Sequence, residues 1–286
     1  MTAAPATVSR TGPMADAEDS PLFVTALAKG LSVLSTFTAS RSVMNLLEIA
    51  EATGLNKSTV QRSVFTLESI GYLTKDVSSK GYRLTAKSLE IGSNYLQTSE
   101  LIDRATPYLH ELNRQSQESC NLLEPYGTEM VYVSRFASHK QISIHVPIGQ
   151  RLPMFCTAAG RAYLAALPQD EAEACIRGSK LTAYTPNTVT DPDELLALLK
   201  RVRTDGFAFS NEEYYVGDIA IGACIVNAEG KPLGSINISV PFSRWRIEQV
   251  FSELGPQIVN AARAISTAAR GLKPGSAGRT SINAKL

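Results

Sequence analysis

The side chains best suited to reading another molecule crowd into one short stretch: Lys57, Ser58, Thr59, Gln61 and Arg62. If the stretch is helical, Val60, Val64 and Leu67 fall at i, i+4 and i+7 and turn inward, leaving those five on the opposite face. Hydroxyls and backbone amides at a helix start hold phosphate oxygens, while Gln and Arg can hydrogen-bond base edges. Taken alone, such a face also describes the solvated side of a structural helix.

Groups able to do covalent or acid–base chemistry are scattered. The histidines are His110, His139 and His145, and no HExxH, GxSxG, phosphate-loop or GxGxxG spacing accompanies them. Cys120, Cys156, Cys175 and Cys224 show no CxxC or CxxH pairing, which argues against zinc and against a disulfide framework, so they read as buried thiols. Glu212 and Glu213 are too few ligands for a hard metal and read as a strand-end turn or a subunit contact. No catalytic group, metal site or cofactor is expected.

The elements around the first cluster decide its meaning. Leu46–Asn56 followed by Lys57–Leu67 reads as two short helices broken by a turn, with Ala50 small where they cross, Gly54 making the turn and Asn56 capping the second. Gly71–Asp76 and Gly81–Thr85 alternate as two strands around a Val77–Lys80 turn, a hairpin that carries Lys75, Lys80 and Arg83. A helix-turn-helix followed at once by a basic hairpin is the pattern of a winged DNA-binding domain. Ahead of it, Phe23, Leu27, Leu31 and Leu34 predict an amphipathic helix facing the core, with Gly30 as a close-packing point.

Charge fits local rather than global nucleic-acid binding. The 286 residues carry a net charge of +1, yet between Leu22 and Gln97 there are eight basic residues against five acidic ones. No apolar run approaches the roughly 20 residues of a membrane helix, and residues 1–20 lack the apolar core of a secretion signal. A cytoplasmic protein with no membrane partner is expected.

The chain resembles the IclR family of bacterial regulators. The resemblance rests on Ala28–Leu34, Glu48–Leu55 with Lys57–Val60 and Arg62, Leu67–Leu73, Gly149–Leu164, Arg203–Gly217 and Ser235–Pro241. It implies an α+β architecture: a winged helix-turn-helix, a linker helix that pairs in a dimer, and a GAF-like effector domain with an antiparallel sheet that often assembles into tetramers. The expected layout is a tail at 1–20, the DNA-binding domain at 21–85, a linker helix at 86–101, the effector domain at 102–270 and a tail at 271–286. The linker carries Leu89, Leu96 and Leu101 as an apolar stripe, which serves either its own domain or a homodimer or homotetramer contact.

In the C-terminal part, strands are expected at 120–125, 129–136, 141–147, 208–211, 220–226 and 232–240, and helices at 103–117, 157–166, 170–176, 192–205 and 244–269. Thr157, Ala158 and Ala159 open a helix with small residues, leaving room and free N–H groups that suit a carboxylate, although a tightly packed helix start has the same composition. The family resemblance favours an effector pocket there, with Ser210, Asp218, Ala220, Asn237 and Ser239 from later strands and Ile144 and Leu152 as apolar wall. Asp218 departs from a commonly apolar family position, Arg161 from a lysine and Phe155 from a histidine. The reading that follows is a DNA-binding transcriptional regulator, repressor or activator, whose grip on double-stranded promoter DNA is controlled by a small carboxylic acid. An aromatic acid is one form of it, with Met154, Phe155 and Tyr163 as ring contacts. The alternative is redox or metal sensing, because Cys156 sits beside the expected pocket.

Overall fold

In the computed structural model, which describes residues 20–140 and 146–274, two asparagines set out the N-terminal unit, Met1–Thr98. Helix α1 spans Thr25–Leu34. Asn45 Oδ1 accepts the Leu47 and Glu48 amides while Glu48 Oε2 accepts the Asn45 amide, a reciprocal cap that opens α2, Leu46–Thr53. Gly54 takes the left-handed φ of 70° that ends it. Asn56 Oδ1 then accepts the Thr59 amide at 2.8 Å and starts α3, Lys57–Ser69. Val60, Val64 and Leu67 are buried with Val33, Phe37, Ile49 and Leu73.

The hairpin joins β1, Leu73–Lys75, to β2, Tyr82–Leu84, in antiparallel register. Met44 adds a further bridge to Tyr82. At the turn, the Asp76 carboxylate accepts from Ser78 Oγ, Ser79 Oγ and the Ser79 amide, and these bonds lower its pKa to about 2. An ionised acceptor therefore organises the tip between Lys75 and Lys80 at neutral pH.

Three expectations for this unit need correction. On α1, Val33 is buried and Leu34 packs against the core, whereas Leu27 and Leu31 are 62% and 51% exposed, so the middle of the expected stripe faces outward. The small Val33 and the following Phe37 fill the space above α3 instead. Gly30 is not a close-packing point, since an added Cβ would meet nothing within 4 Å. The linker begins as a single 3-10 turn, Ala86–Ser88, continues as α4, Leu89–Thr98, and stops there, because Ser99 caps the next helix through the Ile102 amide. Leu101 is buried in the second unit rather than sharing a stripe with Leu89 and Leu96.

The second unit, Ser99–Leu286, starts with α5, Glu100–Ser116, whose Leu101, Ala105, Leu109 and Leu112 face inward. Six strands follow: β3 Ser119–Tyr126, β4 Glu129–Phe136, β5 Arg151–Pro153, β6 Ala208–Asn211, β7 Asp218–Val226 and β8 Pro232–Pro241. They form one antiparallel sheet in the order β5-β4-β3-β8-β7-β6. Between β5 and β6 run α6 Ala158–Ala166, α7 Gln169–Gly178 and α8 Pro192–Asp205. After β8 come a short helical turn, Ile247–Gln249, a wider turn, Val250–Leu254, and α9, Gly255–Ala268.

Strand alternation sorts the two faces of the sheet. Ile219, Ile221, Ile236, Ile238 and Val240 are almost fully buried on the face covered by α5 and α9. The alternate residues, among them Ser235, Asn237, Ser239, Ala220 and Gly222, point toward α6. The antiparallel α+β class matches expectation, while the short strand β5 does not appear among the expected elements. Ile144, His145 and most of the strand expected at 141–147 lie outside the described residues, and Val146 and Pro147 stand in irregular backbone. The expected tails also lie outside them, apart from Ser20 and residues 271–274.

Candidate DNA-binding face and ligand cavity

Burial of the i, i+4, i+7 row turns the rest of α3 outward. Lys57, Ser58, Gln61 and Arg62 are exposed, and Thr59 is half-buried with its amide taken by the Asn56 cap. On the hairpin Lys75, Lys80 and Arg83 are exposed as well. These residues give the unit a cationic, donor-rich surface with hydroxyls at a helix start, the equipment for phosphate and base-edge contacts.

In the second unit a small cavity opens between the sheet and the N-terminus of α6. Thr157 is the N-cap of α6: its Oγ accepts the Gly160 amide at 3.3 Å and donates to the Pro153 carbonyl at 2.8 Å. The helix start lies hard against β7, where a Cβ on Gly222 would come within 2.9 Å of backbone atoms of Ala158 and Ala159. Only glycine lets the helix dipole's positive end come this close to the sheet.

Of the residues assigned to a pocket from sequence, Leu152, Thr157, Ala158, Ser210, Asp218, Ala220, Asn237 and Ser239 line this one cavity. Ala159 does not; it is buried in the adjoining apolar cluster. Met154, Phe155 and Tyr163 do not line the cavity either, so the expected ring contacts are corrected to Tyr132, Tyr214 and Tyr215, which do. The Tyr214 and Tyr215 rings meet edge to face at 4.7 Å.

Asn121, Tyr132 and Arg135 come from β3 and β4 and were missed, as was Glu213. Asn121 Nδ2 donates to Asn237 Oδ1 at 2.9 Å, and Asn237 also bonds the Tyr132 side chain. Arg135 Nη1 and Nη2 reach Asn121 Oδ1 and Ser119 Oγ at 3.5 and 3.4 Å. Asp218 accepts from Ser239 Oγ at 2.5 Å, and burial raises its carboxyl to about 6 against the opposing pull of Ser239 and Arg135. A signal for these residues was present: Ser119 and Asn121 alternate with Cys120 and Leu122, as Asn237 and Ser239 alternate with Ile236 and Ile238. Polar residues in such a pattern usually mark solvent, and here they mark an internal polar floor.

Behind the cavity, Arg161 and Glu213 form a bidentate buried pair, Nη1 to Oε1 and Nη2 to Oε2, both 2.5 Å. Arg161 Nε also donates to the Phe155 carbonyl and Nη1 to that of Phe209. Glu213 is thereby a structural counter-ion, and Glu212 accepts the Gly217 amide, so the adjacent acids close a turn. Cys156 is fully buried in the cavity wall, with its thiol pushed up by burial to about 12. Cys120, Cys175 and Cys224 are raised as well, to about 12, 11 and 12. His110 and His139 are exposed, and neither lines the cavity. Among the described residues no group of three or more His, Cys, Asp or Glu side chains is placed to hold a metal ion, and no helix is long and apolar enough to cross a membrane.

A winged helix-turn-helix joined in one chain to an antiparallel domain with a polar-floored cavity defines a transcriptional regulator of two domains. The family models described as the IclR helix-turn-helix domain and the bacterial transcriptional regulator IclR C-terminal domain match residues 26–77 and 93–267. The chain belongs to the IclR family of DNA-binding transcriptional regulators. It is 31% identical to the Pca regulon regulatory protein of Pseudomonas putida, over 85% of this chain and 83% of that one. Among solved structures it is similar to a transcriptional regulator from Rhodococcus sp. RHA1, with 32% identity, coverage of 86% and 98%, and a TM-score of 0.75. It also shares the fold of an IclR homolog from Microbacterium hydrocarbonoxydans complexed with 4-hydroxybenzoate, at 24% identity, coverage of 86% and 100%, and a TM-score of 0.69.

Proposed function

We propose that α3 and the hairpin bind promoter DNA and that a small organic acid seated in the cavity controls this binding. Arg62 and Gln61 read base edges; Lys57, Ser58, Thr59, Lys75, Lys80 and Arg83 position phosphates. The cavity itself carries the effector half of the reading. It offers a helix start that favours a carboxylate, a polar floor made by Asn121, Asn237 and Ser239, and the Tyr132, Tyr214 and Tyr215 rings beside them. The rings favour an aromatic acid of a catabolic pathway, a choice in keeping with the similarity to the Pca regulator and with the hydroxybenzoate held by the Microbacterium homolog.

The protein acts in the cytoplasm as a regulator with no catalytic step, and it works as a homodimer or homotetramer. Supporting assembly, Leu22, Leu27 and Leu31 around α1 and Leu89 and Ile91 on α4 are each more than half exposed, apolar side chains that a second copy would cover. A redox mechanism gains no support from Cys156, whose buried thiol carries almost no thiolate at neutral pH. Cys156→Ser is expected to leave regulation unchanged.

The test is a thermal-shift screen of the purified protein against aliphatic and aromatic acids, since a ligand that binds only the native state raises the melting temperature. The expected hit loses its effect in Asn237→Ala and alters affinity for the protein's own promoter. No shift from either class of acid, with DNA binding intact, overturns the reading.

A further inference from the structure

The cavity is not uniformly suited to an acid. Over the middle of β7 and β8, where Gly222 pairs with Asn237, it meets the α6 helix start, whereas nearer the ends of β4, β7 and β8 it presents Arg135, Asp218 and Ser239. Strand register keeps these last groups together. Ser119 pairs with Ser239 across β3 and β8, Arg135 reaches Ser119, and Asp218 accepts from Ser239. One pole of the cavity thus has helix-terminal amides, and the other has a carboxylate and a guanidinium acting on one another.

A bare carboxylate at the second pole would face Asp218, and an ammonium would face Arg135; like charges in such a place cost free energy. A neutral hydroxyl faces neither penalty. It donates one hydrogen bond and accepts another, and Asp218 as acceptor beside Arg135 as donor complements both. The ionised carboxylate is the better acceptor, and the Asp218 carboxyl, near 6, is mostly ionised at neutral pH.

We infer that Asp218 and Arg135 form a hydroxyl-reading pair, and that the effector is a hydroxylated aromatic acid held by its carboxylate at the α6 start and by its hydroxyl at this pair. The assignment rests on the organic-acid reading of the cavity and adds a specificity determinant to it. Ser239 positions Asp218, and the Tyr132, Tyr214 and Tyr215 rings line the same cavity.

Titration calorimetry of the full-length protein with benzoate, 3- and 4-hydroxybenzoate, 4-methoxybenzoate and 4-aminobenzoate tests this. A hydroxyl both gives and takes a hydrogen bond, the methoxy group only takes, and the aryl amine chiefly gives. One hydroxybenzoate is expected to bind about tenfold or more tighter than benzoate and tighter than the methoxy and amino analogues. Asp218→Asn and, separately, Arg135→Gln should each reduce the ratio of hydroxybenzoate to benzoate affinity to about threefold or less. Circular dichroism checks both variants, and the series on the unsubstituted protein tests the idea even if neither folds. Hydroxybenzoates no better than benzoate, or a preference that survives both substitutions, overturn the pair while leaving the acid reading standing. Absence of binding by every probe removes the aromatic-acid reading and this assignment with it.

Discussion

The DNA-facing surface of α3 and the cavity of the second unit use similar side chains in opposite settings. Lys57, Gln61 and Arg62 stand in solvent on one helix and are neighbours in sequence. The polar groups of the cavity come from β3, β4, β6, β7, β8 and the α6 start, and they are held together by bonds to one another and by burial. A surface of the first kind can be altered without disturbing the fold beneath it. A cavity of the second kind cannot, because removing one partner strands another away from water.

The largest test of this contrast is the Arg161–Glu213 pair. Arg161→Ala leaves the Glu213 carboxylate buried without its counter-charge and is expected to cost about 3–5 kcal/mol. Arg161→Lys, which retains charge but not the bidentate fork, should cost less. Trp245, the one tryptophan, lies in the second unit, so its fluorescence during urea unfolding follows that unit specifically. A loss below about 1 kcal/mol for Arg161→Ala would erase the distinction drawn here.

Gly222→Ala comes next. The added methyl meets the backbone at the α6 start, and overpacking of this kind costs about 1–3 kcal/mol while forcing the helix off the sheet. Effector binding should weaken together with stability, as thermal melts with and without ligand would reveal. Arg62→Ala sharpens the other side: DNA binding should fall by about 1–3 kcal/mol with relaxed sequence preference, and the urea midpoint should not move. Lys80→Ala should weaken binding to all sequences alike and lower its salt dependence. Uniform loss across sequences for Arg62→Ala would make Arg62 a phosphate contact.

The smallest effect concerns pH. Asp218 titrates near 6 in the folded protein against 3.8 as its ordinary value, so the native state holds the proton more tightly. Its contribution to stability is fully present below pH 3.8 and is lost as pH rises through about 6. Arg135 and Tyr132 from β4, Tyr215 from the loop before β7 and Ser239 from β8 are the groups facing it. With solvent screening the effect is on the order of 1–2 kcal/mol, read as the difference in stability between the unsubstituted protein and Asp218→Asn from pH 4 to 7. A difference that is flat with pH would mean that Asp218 is better solvated than its place in the cavity implies.

The sequence by itself determined those parts whose partners are near in the chain. The i, i+4, i+7 row of α3, the caps at Asn45 and Asn56 and the Gly54 turn are satisfied within a few residues, so spacing alone is enough to place α3 and its outward face; of that series only the Asn45 cap went unread. The strand alternation of Ile236, Ile238 and Val240 was equally legible. Tertiary structure alone decided which side of α1 is covered, since Leu27 and Val33 are both apolar and only packing against α3 selects between them. It also decided that Ser119, Asn121 and Arg135 face a cavity rather than water, because period-2 alternation separates two faces of a sheet without saying what lies over each. That answer came from α6, folded across the sheet by a connection distant from β3 and β4 in sequence and admitted to close range by the missing side chain of Gly222.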